Sequence, residues 1–205
     1  MIGLYRDSAV VLRYWKLGEA DRIVSLMTQH NGKIRCVAKG VRKTKSRFGS
    51  RVEPANHLEV QLYRGKGELD TLTQVETVEL FPTLRDDLER FARASSMLEV
   101  VELVAQDREP NEALYSMLAR ALHTLVTSSS HLVVAGFFLK LLSQEGFAPA
   151  LDTCVRCGAT QDLTHLSVDD GGVTCATCGI GTALSVEAQA LLHLALGGQL
   201  GAVLN

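Results

Sequence analysis

Two Cys-x-x-Cys pairs, Cys154 with Cys157 and Cys175 with Cys178, are the residues whose type and spacing most clearly specify chemistry in this sequence. A glycine follows each pair, Gly158 and Gly179, and the seventeen residues 158–174 separate the pairs. Each pair can place two sulfurs about 3.5–4 Å apart on one tetrahedral ion, and the following glycine lets backbone amides turn toward sulfur. Four thiolates fill that tetrahedron and leave no position for water or substrate, so the spacing predicts one structural Zn2+ held by Cys154, Cys157, Cys175 and Cys178. Redox chemistry normally uses a single pair between a strand and a helix. His165 lies between the pairs; with four cysteines present it is expected at the surface or in packing. The fifth cysteine, Cys36, is expected to be a half-buried strand residue. A lone cysteine beside a cluster of four is the arithmetic of a metal site, not of a disulfide framework.

The second constellation is cationic. Residues 33–51 contain eight basic side chains, Lys33, Arg35, Lys39, Arg42, Lys43, Lys45, Arg47 and Arg51, and no acid occurs between Arg22 and Val52. Lys33, Arg35 and Lys39 sit at even spacings along a strand and so share one sheet face. The others occupy a loop with Thr44, Ser46, Phe48 and Gly49. A mobile loop of this composition can follow a phosphate backbone, and Phe48 is a candidate to stack on a base. Trp15 and Tyr14 fit either base stacking or barrel packing. The formal net charge of −2 conceals an asymmetry. Residues 1–80 carry 14 Lys and Arg against 9 Asp and Glu, a balance of +5, and residues 81–205 carry 7 against 14, a balance of −7. One part of the molecule is therefore expected to meet an anionic partner.

Catalytic patterns are missing from the sequence. It has no Gly-Lys-Ser/Thr phosphate loop, no His-Glu-x-x-His and no glycine-flanked nucleophilic serine. Asp169 and Asp170 precede Gly171-Gly172 and read as a turn. His123, His131 and His193 fall on predicted helices as surface or packing residues. The expectation is a protein that is not an enzyme; a metal-dependent nuclease would need a carboxylate cluster that the sequence lacks. No apolar run reaches the length of a membrane span, and Arg6 and Asp7 interrupt the N-terminus where a secretory signal needs an apolar core. A cytoplasmic, nucleoid-associated protein with no membrane partner is expected.

The elements that must position these residues follow from periodicity. Segments 8–14, 22–30, 33–39, 56–63 and 68–80 have strand composition, with Asn31-Gly32 as a hairpin turn and residues 64–67 as another turn. Five short strands in about 75 residues suggest a small closed barrel, best matched by the five-stranded oligonucleotide-binding (OB) barrel. From Pro82 a helical face of Leu84, Leu88, Phe91, Leu98, Val101 and Ala105 follows. Asn111 is the N-cap of a second helix with Leu114, Leu118, Ala121 and Leu125 on its apolar side. Residues 128–130 break the pattern. A third helix, 131–145, is apolar nearly all round and is expected to be buried, with Gly146 closing it. A last helix begins at Ser185, carries Ala190, Leu191, Leu194 and Leu196, and ends at Gly197-Gly198. The fold class is α+β: a barrel domain over 1–80, and a helical domain over 81–205 with a zinc ribbon set in at about 150–182.

Beyond these readings, the sequence resembles a known family. Leu17-Gly18-Glu19-Ala20-Asp21-Arg22, Thr28 with Gly32-Lys33, Ala38-Lys39-Gly40-Val41-Arg42-Lys43 and Ser46-Arg47-Phe48 follow the pattern of the bacterial recombination mediator RecO family. Gly67-Glu68-Leu69, Gly146-Phe147 and the cysteine pairs agree with it, and the likeness covers nearly the whole chain. The resemblance implies an N-terminal OB barrel, a helical domain and a zinc ribbon. It implies binding of single- and double-stranded DNA and annealing of complementary strands without ATP. It also implies action with RecR, and often RecF, to load RecA onto DNA coated by single-strand-binding protein, whose acidic C-terminal tail is a further partner. Lys39, Arg42, Lys43, Ser46 and Arg47 match the family's basic barrel segment, and the four cysteines match its metal ligands. The family continues past the last helix into another helical stretch with basic residues, and this sequence ends at Gly201-Ala-Val-Leu-Asn205. The alternative expectation is an OB barrel and ribbon serving RNA, or a scaffold whose basic face meets an acidic tail.

Overall fold

The computed structural model describes residues 3–128 and 130–199; the expectation attached to residues 201–205 lies outside them. Two compact units are formed, 1–129 and 130–205.

In the first unit, β1 (Gly3–Leu17), β2 (Asp21–Thr28), β3 (Gly32–Ala38), β4 (His57–Arg64) and β5 (Asp70–Glu79) close a barrel in the order β1-β2-β3-β5-β4. All five expected strands are present. The first is longer than its sequence pattern because it serves two neighbours. Its first half pairs with β4 from Gly3 opposite Arg64 to Val10 opposite His57, and its second half pairs with β2 from Ala9 opposite Thr28. An irregularity between Val11 and Arg13 lets the strand bend from one partner to the other. The parallel pairing of β3 with β5, Cys36 opposite Asp70, closes the cylinder. The interior is filled by Ala9, Val11, Val24, Leu26, Ile34, Cys36, Leu58, Leu62 and Leu72. Burial raises the Cys36 thiol well above its ordinary pKa, so it is an inert core residue.

The β2–β3 turn is held from below by Asp7, whose carboxylate accepts from the amides of Ser8 and His30 and from Asn31 Nδ2. Gly32 adopts φ +70°, and a Cβ there would come 2.1 Å from the carbonyl oxygen of Glu109. This glycine is therefore required twice, by its backbone angle and by the chain crossing over it.

Three helices follow. The expected single helix from Pro82 is two: α1 (Pro82–Asp86) and α2 (Leu88–Val104). Asp87 breaks the run and caps α2, accepting from the amides of Glu89 and Arg90. The break resets the helical phase, so Leu84 is buried while Leu88 and Phe91 are exposed, and α2 buries Ala94, Met97, Leu98 and Val101. In α3 (Glu112–Thr127) the Asn111 side chain accepts from the Leu114 amide at 2.9 Å, as expected of its N-cap. Both α2 and α3 pack on β1 and β2. Tyr115 of α3 donates to Ser8 Oγ at 2.8 Å, and His57 Nε2 lies 2.6 Å from the Tyr115 hydroxyl and 3.1 Å from Ser8 Oγ.

Burial lowers the pKa of His57, against the opposing pull of Glu79 and Glu59. The folded state therefore resists a proton that the unfolded chain accepts. The stabilisation is complete above the unfolded value of about 6.5 and is lost as pH falls from there through the lowered folded value. Urea unfolding between about pH 7 and pH 5 is expected to show this loss, and His57→Gln to flatten it.

The second unit holds α4 (Leu132–Gln144), a small sheet of β6 (Leu163–Ser167), β7 (Gly172–Cys175) and β8 (Thr182–Ala183) in the order β7-β6-β8, and α5 (Val186–Leu196). The expected all-round burial of α4 is corrected: Val133, Gly136, Phe137 and Leu141 are buried, and Leu142 is exposed. Buried positions at helical spacing define one face, so the apolar composition of the rest is not matched by packing. Gly146 at φ +85° closes α4, with the Phe147 amide donating to the Leu142 carbonyl. Ser185 caps α5 through the Ala188 amide.

Candidate nucleic-acid interface and metal centre

The ribbon brings Cys154, Cys157, Cys175 and Cys178 together, with their four sulfurs all within 4.8 Å of one another and Cys157 Sγ 3.6 Å from Cys175 Sγ. The two knuckles are alike. The Gly158 amide donates to the Cys154 carbonyl and the Gly179 amide to the Cys175 carbonyl, each at 2.9 Å. Both glycines have positive φ, +76° and +56°. Backbone amides converge on the sulfurs, that of Cys175 foremost, and draw the Cys154 thiol down to about 6. Cys175 is lowered as well, while the hydrogen bonds that the Cys178 thiol donates to the sulfurs of Cys157 and Cys175 raise Cys178 to about 12. A soft, closed, four-sulfur set at these separations fits a tetrahedral metal ion. His165 stands on β6 with Thr164 as its hydrogen-bond partner and takes no part in the cluster. The hairpin beneath the knuckles is tied by Arg156, which donates twice to Asp170 at 3.0 Å, and by Ser167, which donates to Asp170 at 2.7 Å.

In the first unit the eight predicted cations separate into two groups. Lys33 and Arg35 do point outward together from β3, but the connector between α2 and α3 has occupied them. Asp107 lies 3.5 Å from Lys33 Nζ and 3.2 Å from Arg35, and Lys33 also donates to the Glu102 carbonyl. Lys33 is only 13% exposed. The other six, Lys39, Arg42, Lys43, Lys45, Arg47 and Arg51, are exposed. None of them is ion-paired with an acid among the described residues.

The segment carrying these six is not the mobile loop its composition suggests. Val41, Phe48 and Val52 insert into the barrel core. A 3-10 turn, Gly49–Val52, follows, and Asn56 Nδ2 donates to the carbonyls of Ser50 and Arg51. At the other end, the Gly40 amide donates to Asp21 Oδ1 at 2.7 Å and the Arg42 amide to the Ala20 carbonyl at 3.0 Å. Arg22 closes the arrangement by pairing with Glu53 at 2.8 Å while its guanidinium lies 3.7 Å from the centre of the Tyr14 ring. Phe48, 1% exposed, is thus a core anchor and is withdrawn as a base-stacking residue. Apolar residues spaced through the basic run, Val41, Phe48 and Val52, are the signal that this was a moored loop. The mooring fixes the cations beside the β1–β2 turn, and in OB barrels that turn and the β2–β3 face hold oligonucleotides.

The connector between α2 and α3 was not anticipated as structural. Arg108, at φ +61°, donates to Asp70 at 2.8 Å and 3.4 Å and to the Glu68 carbonyl at 2.9 Å. Asp70 is 0% exposed and also accepts from the Tyr5 hydroxyl.

Comparison with known proteins agrees with this geometry. The family model described as "Recombination protein O N terminal" matches residues 1–81, and that described as "Recombination protein O C terminal" matches residues 85–204. A protein named DNA repair protein RecO from Nocardioides sp. is 42% identical over 204 residues, spanning 95% of this chain and 83% of its own length. One of the same name from Frankia casuarinae is 42% identical over 196 residues, spanning 94% of this chain and 80% of its own. A third, from Cutibacterium acnes, is 44% identical over 182 residues. With both family models matched across the barrel and the helical part, and relatives of this likeness over most of the chain, the protein belongs to the RecO family of DNA repair proteins.

Proposed function

We propose that this protein is a non-enzymatic recombination mediator of the cytoplasm. It binds single- and double-stranded DNA through Lys39, Arg42, Lys43, Lys45, Arg47 and Arg51 and anneals complementary strands without ATP. With RecR it helps load RecA onto DNA coated by single-strand-binding protein. A single zinc ion in the four-cysteine cluster keeps the ribbon folded. The observation that carries the reading is the row of six exposed cations, free of acidic partners among the described residues and moored beside the β1–β2 turn of an OB barrel.

The mechanism is charge neutralisation. Two strands repel through their phosphates, and a fixed cationic surface that holds both lowers that repulsion and raises their local concentration. No bond is made or broken. Mooring matters because a surface already ordered loses less conformational freedom on binding than a loose loop.

If about five phosphates of a single strand are contacted, the slope of log affinity against log salt is roughly −3.5. The triple substitution Lys39→Ala, Arg42→Ala, Lys43→Ala is expected to shallow that slope by about 2 and to slow annealing. Unchanged metal content and thermal unfolding would show that the variant is folded. A folded triple variant with wild-type slope and annealing rate would rule out this surface.

A further inference from the structure

The outer face of β1, β2 and β3 is divided. On its part near the β2–β3 turn, Val10, Leu12, Ser25 and Met27 are buried, on the two strands where α2 and α3 pack. Toward the β1–β2 turn burial gives way to partial exposure. There Trp15, Ile23 and Val37 form one row across the three strands, Trp15 opposite Ile23 and Ile23 opposite Val37, and all three are half-buried. Their neighbours Val24, Cys36 and Ala38 fill the barrel core, so alternation turns this row outward. Trp15 is not among the partly buried side chains that pack on that core, whereas Tyr14 is.

The surroundings of the row are cationic. The exposed Arg13 holds its guanidinium 4.5 Å from the centre of the Trp15 ring. Lys39 follows Val37 by two residues, and Arg42 reaches the Gly18 carbonyl in the β1–β2 turn at 3.4 Å. The row therefore borders the moored basic segment. With Phe48 in the core and Tyr14 packed against it, Trp15 is the aromatic side chain of this strand end that borders the basic segment without packing on the core.

We propose that Trp15 is a base-stacking platform for single-stranded DNA, with Arg13 and Lys39 holding the phosphates on either side of the stacked base. The proposal rests on the DNA-binding reading above and adds to it a preference between strand states. An indole face accepts any base, because every base has a π surface. Bases within a duplex are already stacked on their neighbours, so the platform acts on unpaired strands alone. The guanidinium over the indole shows that this ring face is open to a planar partner. When a base takes its place, the Arg13 side chain is free to meet the adjoining phosphate.

The chain has a single tryptophan, so its emission reports on this site directly. The full chain would be titrated with an oligo-dT strand and with a duplex of the same length, with anisotropy of a label on the DNA measuring binding in parallel. The expected result is quenching of Trp15 by oligo-dT and unchanged emission when the duplex binds. Trp15→Ala is expected to weaken oligo-dT binding about ten-fold and duplex binding by less than about two-fold, while Trp15→Phe retains most of the affinity. Thermal unfolding followed by circular dichroism checks that both variants are folded. Oligo-dT that binds with unchanged tryptophan emission, or an equal loss for both DNAs in Trp15→Ala, overturns the platform and leaves DNA binding standing. Absence of binding to either DNA by the wild type overturns both.

Discussion

Replacing Cys154 by serine is expected to abolish the zinc binding proposed for the four-cysteine cluster and to cost the ordered ribbon between residues 150 and 183, while the barrel remains folded. The ribbon has little else to hold it. Its buried apolar side chains, apart from cysteines, are Leu151 and Val173, and its strands are five, four and two residues long. A segment of that size cannot offset its own ordering entropy by burial. Metal coordination by four thiolates supplies about 10–16 kcal/mol in small zinc domains near neutral pH, far more than such a core could provide. A serine hydroxyl is not ionised and does not replace a thiolate. The wild type should carry about one zinc per chain by elemental analysis, and Cys154→Ser close to none. Hydrogen exchange should show amides of β6 and β7 losing protection while those of β1 to β5 keep theirs. Cys36→Ala is the control: its sulfur is sealed in the barrel core and belongs to no cluster, so the metal content should not change. A Cys154→Ser protein that keeps a full equivalent of zinc would remove the four-cysteine site from consideration.

The parts of this molecule that were legible in the sequence are those governed by local rules. The Asn31-Gly32 hairpin, the Asn111 cap, the start of the last helix at Ser185 and the Gly146 terminus each depend on a few adjacent residues, and each is found where its residues stand. The ligand set was legible for the same reason: Cys-x-x-Cys-Gly is a complete local instruction, given twice. Errors arose where a residue has two uses that the sequence does not distinguish. Phe48 sits among basic residues and looks like a stacking side chain, yet its phenyl ring is what ties the loop to the barrel. Asp87 looks like one more polar position in a helix, yet it stands between two helices and its carboxylate caps the second, so the apolar face read through it holds for Leu84, Leu98, Val101 and Ala105 and fails for Leu88 and Phe91.

Long-range pairings were the least visible. Lys33 and Arg35 belong to the cationic run by sequence, and only the fold shows that Asp107, more than seventy residues away, has claimed them. The consequence for the proposed DNA interface is that it is shorter and better defined, from Lys39 to Arg51. It also explains how an acidic helical half can be compatible with a basic binding surface. Asp107 lies against the barrel where it pairs with Lys33 and Arg35, and the cations from Lys39 to Arg51 have no acidic partner among the described residues.

The same connector carries the second large effect. Arg108→Met should destabilise the barrel unit by about 3 kcal/mol, near the lower end of what removing one partner of a buried pair costs. Asp70 has no exposed surface, and Arg108 is the one basic side chain paired with it among the described residues; only the Tyr5 hydroxyl would remain to solvate the charge. The Arg108 side chain is about a quarter exposed, which places the estimate at the low end. For a unit of this size the loss corresponds to roughly 10 °C in melting temperature. Two comparisons separate the buried charge from simple loss of contacts. Asp70→Leu combined with Arg108→Met removes both charges, and it should be less destabilised than Arg108→Met alone, because no unpaired carboxylate is left inside. Gly32→Ala attacks the same crossing by sterics, forcing a Cβ against the Glu109 backbone, and should loosen the connector without touching the ion pair. If the charged pair is what holds the connector, the double variant will recover part of the Arg108→Met deficit in urea unfolding, and Gly32→Ala will leave the pair intact. A double variant as destabilised as Arg108→Met alone would mean that the connector is held by backbone packing and that the Asp70–Arg108 pair contributes little.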